Sequence, residues 1–140
     1  MPHPIAYLVF NGNCEEAMRF YERALEGRIE TIVRNGDSPM ADQIPKELHQ
    51  RAMHIRLALD GDGYLYAGDC PPQMPYDGIK GVSLTLNYDT VEKAQQIFAA
   101  LAEGGTVTMA LQPTFWAKTW GMVVDRFGTA WNVNGELLAI

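Results

Sequence analysis

Apolar residues recur along this chain in two rhythms. Ala17, Phe20, Tyr21, Ala24 and Leu25 fall three and four apart, the stripe of an amphipathic helix, whereas Met53, Ile55, Leu57 and Leu59 alternate, as on one face of a strand. The stripe predicts a helix after Asn13, with Glu16 placed to complete a capping box and Gly27 to supply a left-handed stop. A second helix is predicted in DTVEKAQQIFAALAEGG, where Asp89 caps, Glu92 completes the box, and Ala94, Ile97, Phe98 and Leu101 form the stripe before Gly104. Setting Ala17 on Ala94 also sets Phe20 on Ile97, Tyr21 on Phe98 and Gly27 on Gly104. An offset of about 77 residues is too long for a solenoid repeat and fits a duplicated module.

Strand-like runs complete each half. Ile5 to Phe10 precedes the first helix, and GRIETIVR, AMHIRLAL and GYLYAGD follow it; VSLTLNY precedes the second, and TVTMAL, KTWGMVVD and TAWNVN follow. Each half reads β-α-β-β-β. The expectation is one domain, 1–140, made of modules at about 1–70 and 79–140 and joined by the Pro/Gly connector CPPQMPYDGIK. A polar excursion, NGDSPMADQIPKELHQ, interrupts the first half, with one short helical turn expected at Pro45 to Gln50.

Composition narrows the function classes. A net charge of -6 with no Lys/Arg cluster argues against nucleic acid and anionic membrane as partners. No apolar run is long enough to cross a bilayer, and the N-terminal residues lack the features of a signal peptide, so a soluble cytoplasmic protein is expected. Cys14 and Cys70 have no metal-finger spacing and read as reduced thiols. No glycine-rich loop of the dinucleotide or S-adenosylmethionine type, and no P-loop, joins a strand to a helix, and no cofactor is expected.

Over nearly its whole length the chain resembles the vicinal oxygen chelate superfamily, also called the glyoxalase, bleomycin-resistance and extradiol-dioxygenase superfamily. The segments that carry the likeness are YLVFNGNCEEAMRFYERAL, MHIRLAL followed by YAGD, IKGVSLTLN, LAEGGTVTM and PTFWAKTWGMVVDRFGTAWNVN. Within the superfamily it is most similar to the PhnB-like branch, some members of which carry a 3-demethylubiquinone-9 3-methyltransferase-like label. The resemblance implies an α+β fold of two β-α-β-β-β modules, a curved mixed sheet around a cavity with helices on the convex side, and a homodimer.

Metal-dependent members of the superfamily place four ligands on cavity-facing strands. Matching helix to helix puts the first ligand place on Ala6 and its repeat partner on Ser83; the place in the last strand falls on Asn132 and its first-half equivalent near Ala67, one pleat from Asp69. Zinc, iron and manganese sites need His, Cys or ionised carboxylates, so no metal is expected there.

Splitting each strand by parity assigns His54, Arg56 and Ala58 to the cavity face, with Ser83, Thr85 and Asn87, then Asn132 and Asn134, and Leu65, Ala67 and Asp69 on GYLYAGD. Trp120, Met122 and Val124 are assigned to the core. The candidate ligand-binding set is Arg56, Ser83, Thr85, Asn132 and the aromatics Phe115 and Trp116, placed at a pocket rim or dimer contact. His54, with Asp69 to orient it, is the candidate acid-base pair, against the plainer alternatives of a structural imidazole and an Arg56–Asp69 ion pair. Asp125 reads as a turn residue and His49 as solvated. The leading expectation is a metal-independent binder of a small polar metabolite. An atypical enzyme using His54 and Asp69, and a ligand-free dimeric module, stay open beside it.

Overall fold

The computed structural model describes residues 2–139. The chain divides into two compact units, Met1–Gly78 and Ile79–Ile140, with the boundary inside the Pro/Gly connector. The first unit runs β1 (Tyr7–Phe10), α1 (Cys14–Ala24), β2 (Arg28–Arg34), β3 (Ala52–Leu59) and β4 (Gly63–Asp69). The second repeats the order with β5 (Ser83–Tyr88), α2 (Val91–Ala102), β6 (Thr106–Gln112), β7 (Ala117–Val124) and β8 (Ala130–Leu137). Each unit is an open, curved four-stranded mixed sheet, ordered β1-β4-β3-β2 and β5-β8-β7-β6, in which the first strand runs parallel to the last and the other pairs are antiparallel. The β-α-β-β-β order is the one read from the two rhythms of the sequence, and the architecture is the α+β fold that the resemblance implied.

One face of each sheet is closed by its helix. In the first unit Ala17, Met18 and Tyr21 on α1 meet Leu8, Phe10, Ile55, Leu57, Leu65 and Ala67, all buried. In the second, Ala94, Ile97, Phe98 and Leu101 on α2 share the core with Val123, Trp131 and Val133. Here β7 departs from the sequence reading. Its buried residues are Ala117, Thr119, Gly121 and Val123, while Trp120, Met122 and Val124 lie half-buried on the open face. The reason is how closely α2 sits on the sheet. A Cβ at Gly121 would stand 2.9 Å from the Phe98 ring, and one at Gly135 would stand 2.8 Å from Ala94 Cβ. At Gly121 and Gly135 the helix leaves no room for a side chain, and the bulky Trp120 and Met122 of β7 take the other face.

Helix ends also differ from the capping boxes expected. Asn13 makes no side-chain cap; the amides of Gly12 and Cys14 instead donate to Asp69 Oδ1 at 2.8 and 3.0 Å. On α2 the cap is Thr90, whose hydroxyl accepts from the Lys93 amide at 3.1 Å, rather than Asp89. After α1 the left-handed residue is Glu26 (φ 57), and Gly27 is needed because a Cβ there would lie 2.6 Å from the Ala58 carbonyl oxygen. Gly104 and Gly105 divide the same two tasks after α2. The helix stripes match as aligned, Ala17 to Ala94 and Tyr21 to Phe98, while just past the helices Glu26-Gly27 matches Gly104-Gly105, one residue further on.

The polar excursion folds into three 3-10 turns, Asn35–Asp37, Ala41–Gln43 and Lys46–Leu48. His49, expected in solvent, ties them together: its Nε2 lies 3.0 Å from the Ala41 carbonyl oxygen and 2.9 Å from that of Ile44, a geometry that places the proton on Nε2.

Candidate functional site

The open face of the first sheet is built largely from alternate residues of three strands. β1 contributes Tyr7 and Val9 because Leu8 and Phe10 are drawn into the core, β3 contributes His54 and Arg56 because Ile55 and Leu57 are, and β4 contributes Tyr64 and Tyr66. His54 and Arg56 thus lie on the expected face. The reading of GYLYAGD is reversed: Leu65 and Ala67 are core, and the open face of β4 carries Tyr64, Tyr66 and Gly68.

Tyr7 was missed by the sequence reading, although its parity against Leu8 and Phe10 in YLVF was the signal for it. Its hydroxyl lies 3.2 Å from His54 Nδ1 and 3.4 Å from the Met53 carbonyl oxygen, to which it donates. The Tyr7 ring stacks on the imidazole with centroids 5.7 Å apart, and Tyr66 meets the imidazole edge-on at 5.2 Å. Gly68 makes room for this arrangement, since a Cβ there would stand 2.9 Å from the Tyr7 hydroxyl. Burial, with a smaller contribution from Cys14, pushes the Tyr7 phenol above its usual pKa, so at neutral pH it is a hydrogen-bond donor rather than a phenolate.

Asp69 does not join this cluster. It shares the parity of buried Leu65 and Ala67, and besides the Gly12 and Cys14 amides it accepts the Ala52 amide through Oδ2 at 2.9 Å. Three backbone donors occupy the carboxylate where β1, α1 and β3 converge, so the partner at the imidazole is Tyr7, not Asp69. Arg56 likewise pairs with Glu30, Nε to Oε1 at 3.1 Å, and lies 5.8 Å over the Tyr64 ring. The Arg56–Asp69 pair is replaced by this one.

The open face of the second sheet is a ladder of neutral polar groups. Trp120 Nε1 donates to Asn132 Oδ1 at 3.1 Å, and Asn132 Nδ2 donates to Ser83 Oγ at 2.8 Å. One rung along, Trp116 Nε1 donates to Asn134 Oδ1 and Asn134 Nδ2 to Asn87 Oδ1, both at 3.0 Å. The indoles fix which end of each amide faces which strand. Thr85 pairs with Asn132 in the strand register and is exposed. Phe115 is 76% exposed and packs edge-on against Trp116, which in turn packs against Trp120. Asp125 serves the turn as expected, accepting from the Phe127 and Thr129 amides and, through its other oxygen, from Trp131 Nε1 at 2.8 Å.

The strand pairings revise the ligand places that the resemblance implied. β1 begins at Tyr7 and β5 at Ser83, both exposed, and Val9 pairs with Gly68 as Thr85 pairs with Asn132. The four places are therefore Tyr7, Gly68, Ser83 and Asn132, with Tyr7 in place of Ala6 and Gly68 in place of Ala67. Tyr7 lies seven residues before the start of α1 and Ser83 eight before the start of α2, and this one-residue difference moved the helix-based count. A neutral phenol, a glycine, a hydroxyl and an amide already bonded on both ends do not fit a divalent metal site. Among the described residues no group of three or more His, Cys, Asp or Glu side chains is arranged to hold a metal ion.

The fold is shared with a solved domain described as glyoxylase/bleomycin resistance protein/dioxygenase. That domain, from Frankia sp. EAN1pec, superposes with a TM-score of 0.66 at 12% identity, covering 97% of this chain and 92% of its own, a likeness of fold. Residues 3–134 match the family model described as 3-demethylubiquinone-9 3-methyltransferase, and the chain belongs to that family. It is 30% identical over 136 residues to Protein YjdN of Escherichia coli K12, covering 91% of each chain. The crystal structure of PA1353 from Pseudomonas aeruginosa is similar at 47% identity and a TM-score of 0.89, over 97% of this chain and 98% of that one. The PhnB protein from Bacillus cereus shares the fold at 24% identity and a TM-score of 0.76, over 96% and 99%. Among the described residues no helix is long and apolar enough to cross a membrane.

Proposed function

We propose that this PhnB-like protein binds a small polar metabolite without a metal, on the open face of the first sheet. The observation that carries the reading is the cluster of Tyr7, His54 and Tyr66 beside the Arg56–Glu30 pair: hydrogen-bonding groups and stacking rings on a face left open by the helix. In the second unit Ser83, Thr85 and Asn132 offer neutral hydrogen-bonding groups, and Phe115 and Trp116 an aromatic rim for ligand or for a second copy in a homodimer. The methyltransferase in the family's description is not part of the proposal: the turns from β1 to α1 and from β5 to α2 hold no glycine-rich cofactor loop. The buried free thiols Cys14 and Cys70 agree with a cytoplasmic setting.

A second reading, acid-base catalysis by His54, is favoured by the 3.2 Å Tyr7–His54 contact, with Tyr7 taking the orienting role first given to Asp69. The test is a thermal-shift screen of small polar metabolites on tag-free protein. Hits should weaken at least about ten-fold in His54→Ala and Arg56→Ala, while elemental analysis should find no stoichiometric zinc, iron, nickel or manganese. Hits insensitive to both substitutions, or about one metal per chain, would refute the reading.

A further inference from the structure

A second recess lies wholly within the first unit, between the three 3-10 turns, the start of β3 and residues 70–73 of the connector, and encloses about 450 Å³. That volume falls within the range of small-molecule clefts, roughly 300–1,000 Å³. Its lining differs in kind from the sheet face. Met40, Ile44, Leu48 and Met53 supply apolar wall, and Gln43 and Gln73 supply neutral amides. The only ionisable carboxylate in the lining is Asp69, and three backbone amides already bond to it.

The wall is held by hydrogen bonds within the excursion itself. His49 Nε2 bonds two carbonyls within the excursion, Asn35 Nδ2 donates to the Leu48 carbonyl oxygen at 3.1 Å, and the Gly36 amide donates to the His49 carbonyl oxygen at 3.0 Å. The approach is tight enough that a Cβ at Gly36 would stand 2.8 Å from His49 Cβ. Such bonding lowers the ordering cost that a loose loop would impose on binding. An anion entering this recess would lose hydration and face the Asp69 carboxylate, whereas a neutral molecule would keep its hydrogen bonds on the glutamines and bury its apolar part against the methionines.

We infer that the recess under residues 35–50 is a second binding site, separate from the sheet face, for a neutral small molecule with an apolar body and one or two carbonyl or hydroxyl groups. The probe is N-phenyl-1-naphthylamine, neutral and fluorescent in apolar surroundings, titrated into the full chain beside its anionic relative 1-anilinonaphthalene-8-sulfonate. Saturable binding of one neutral probe per chain is expected, at least about ten-fold tighter than the anion. Leu48→Trp should fill the recess and weaken the neutral probe at least about ten-fold; Met40→Trp at the exposed mouth gives the same test on a position that the fold does not depend on. His54→Trp, which crowds the sheet face instead, should leave the affinity within about two-fold. No saturable binding, equal affinity for both probes, indifference to Met40→Trp, or loss of binding in His54→Trp would each overturn the inference.

Discussion

Replacing Asp69 by Ala should destabilise the first unit far more than it alters chemistry at His54. Its carboxylate accepts backbone amides from Gly12, Cys14 and Ala52 at 2.8, 3.0 and 2.9 Å, tying the entry of α1 and the start of β3 to the end of β4. Hydrogen bonds to a charged acceptor contribute about 1.5–3 kcal/mol each, but Asp69 is half-buried, so water can reach some of the orphaned amides. The three together are expected to contribute about 3–5 kcal/mol, less than their sum. Asp69→Asn keeps one acceptor oxygen but turns an NH₂ toward an amide donor, and should cost about 1–3 kcal/mol. Urea unfolding measures this directly. With a slope of about 1–3 kcal/mol per molar, the Ala variant should lose a molar or more in midpoint with the slope unchanged. The Gly12, Cys14 and Ala52 amides should also exchange hydrogen faster. An Ala variant within about 1 kcal/mol of the parent that had lost ligand binding or turnover would refute the structural role and return Asp69 to the site.

Asp125→Ala removes a buried acceptor from two amides and the Trp131 indole, and should cost about 3–5 kcal/mol with a shift in tryptophan emission; a neutral result would contradict the bonding described. Leu57→Ala, at a fully buried position under α1, should cost roughly 2–5 kcal/mol in chemical denaturation, while His54→Ala should cost less than about 1 kcal/mol; reversed magnitudes would mean the wrong face of β3 is buried. Stability should fall with rising pH above about 8.5, where the thiol of the unfolded chain ionises. Burial first, then Asp69 and Glu15, push the folded Cys14 thiol well above its usual range, so the folded state holds the proton that the unfolded state releases. Denaturation of Cys14→Ala across pH 7–10 should show a flatter decline, and an unchanged slope would exclude this cause.

The periods of apolar residues determine both helices, the strand runs and the duplication, because helix and strand faces must be buried with periods of 3.6 and 2 whatever the tertiary detail. They also place Ile55 and Leu57 inward and His54 and Arg56 outward. Parity failed on GYLYAGD and on KTWGMVVD for related reasons. On β4 the larger apolar rings, Tyr64 and Tyr66, stand on the open face, and on β7 the closeness of α2 excludes any side chain at Gly121. Hydrophobicity does not encode the distance between a helix and its sheet, so an apolar-inward rule has no access to it. Partners distant in sequence were equally out of reach: Asp69 caps a helix that begins 55 residues earlier, and Tyr7 meets His54 across 47. Local capping chemistry marked Asn13 and Asp89, whereas the three-dimensional arrangement brought a stronger acceptor to the first helix and used Thr90 at the second. Residue types confined the chemistry to what a phenol, an imidazole, a guanidinium and neutral amides can do, but which of them touch is set by the strand register, and that depends on the assembled sheet.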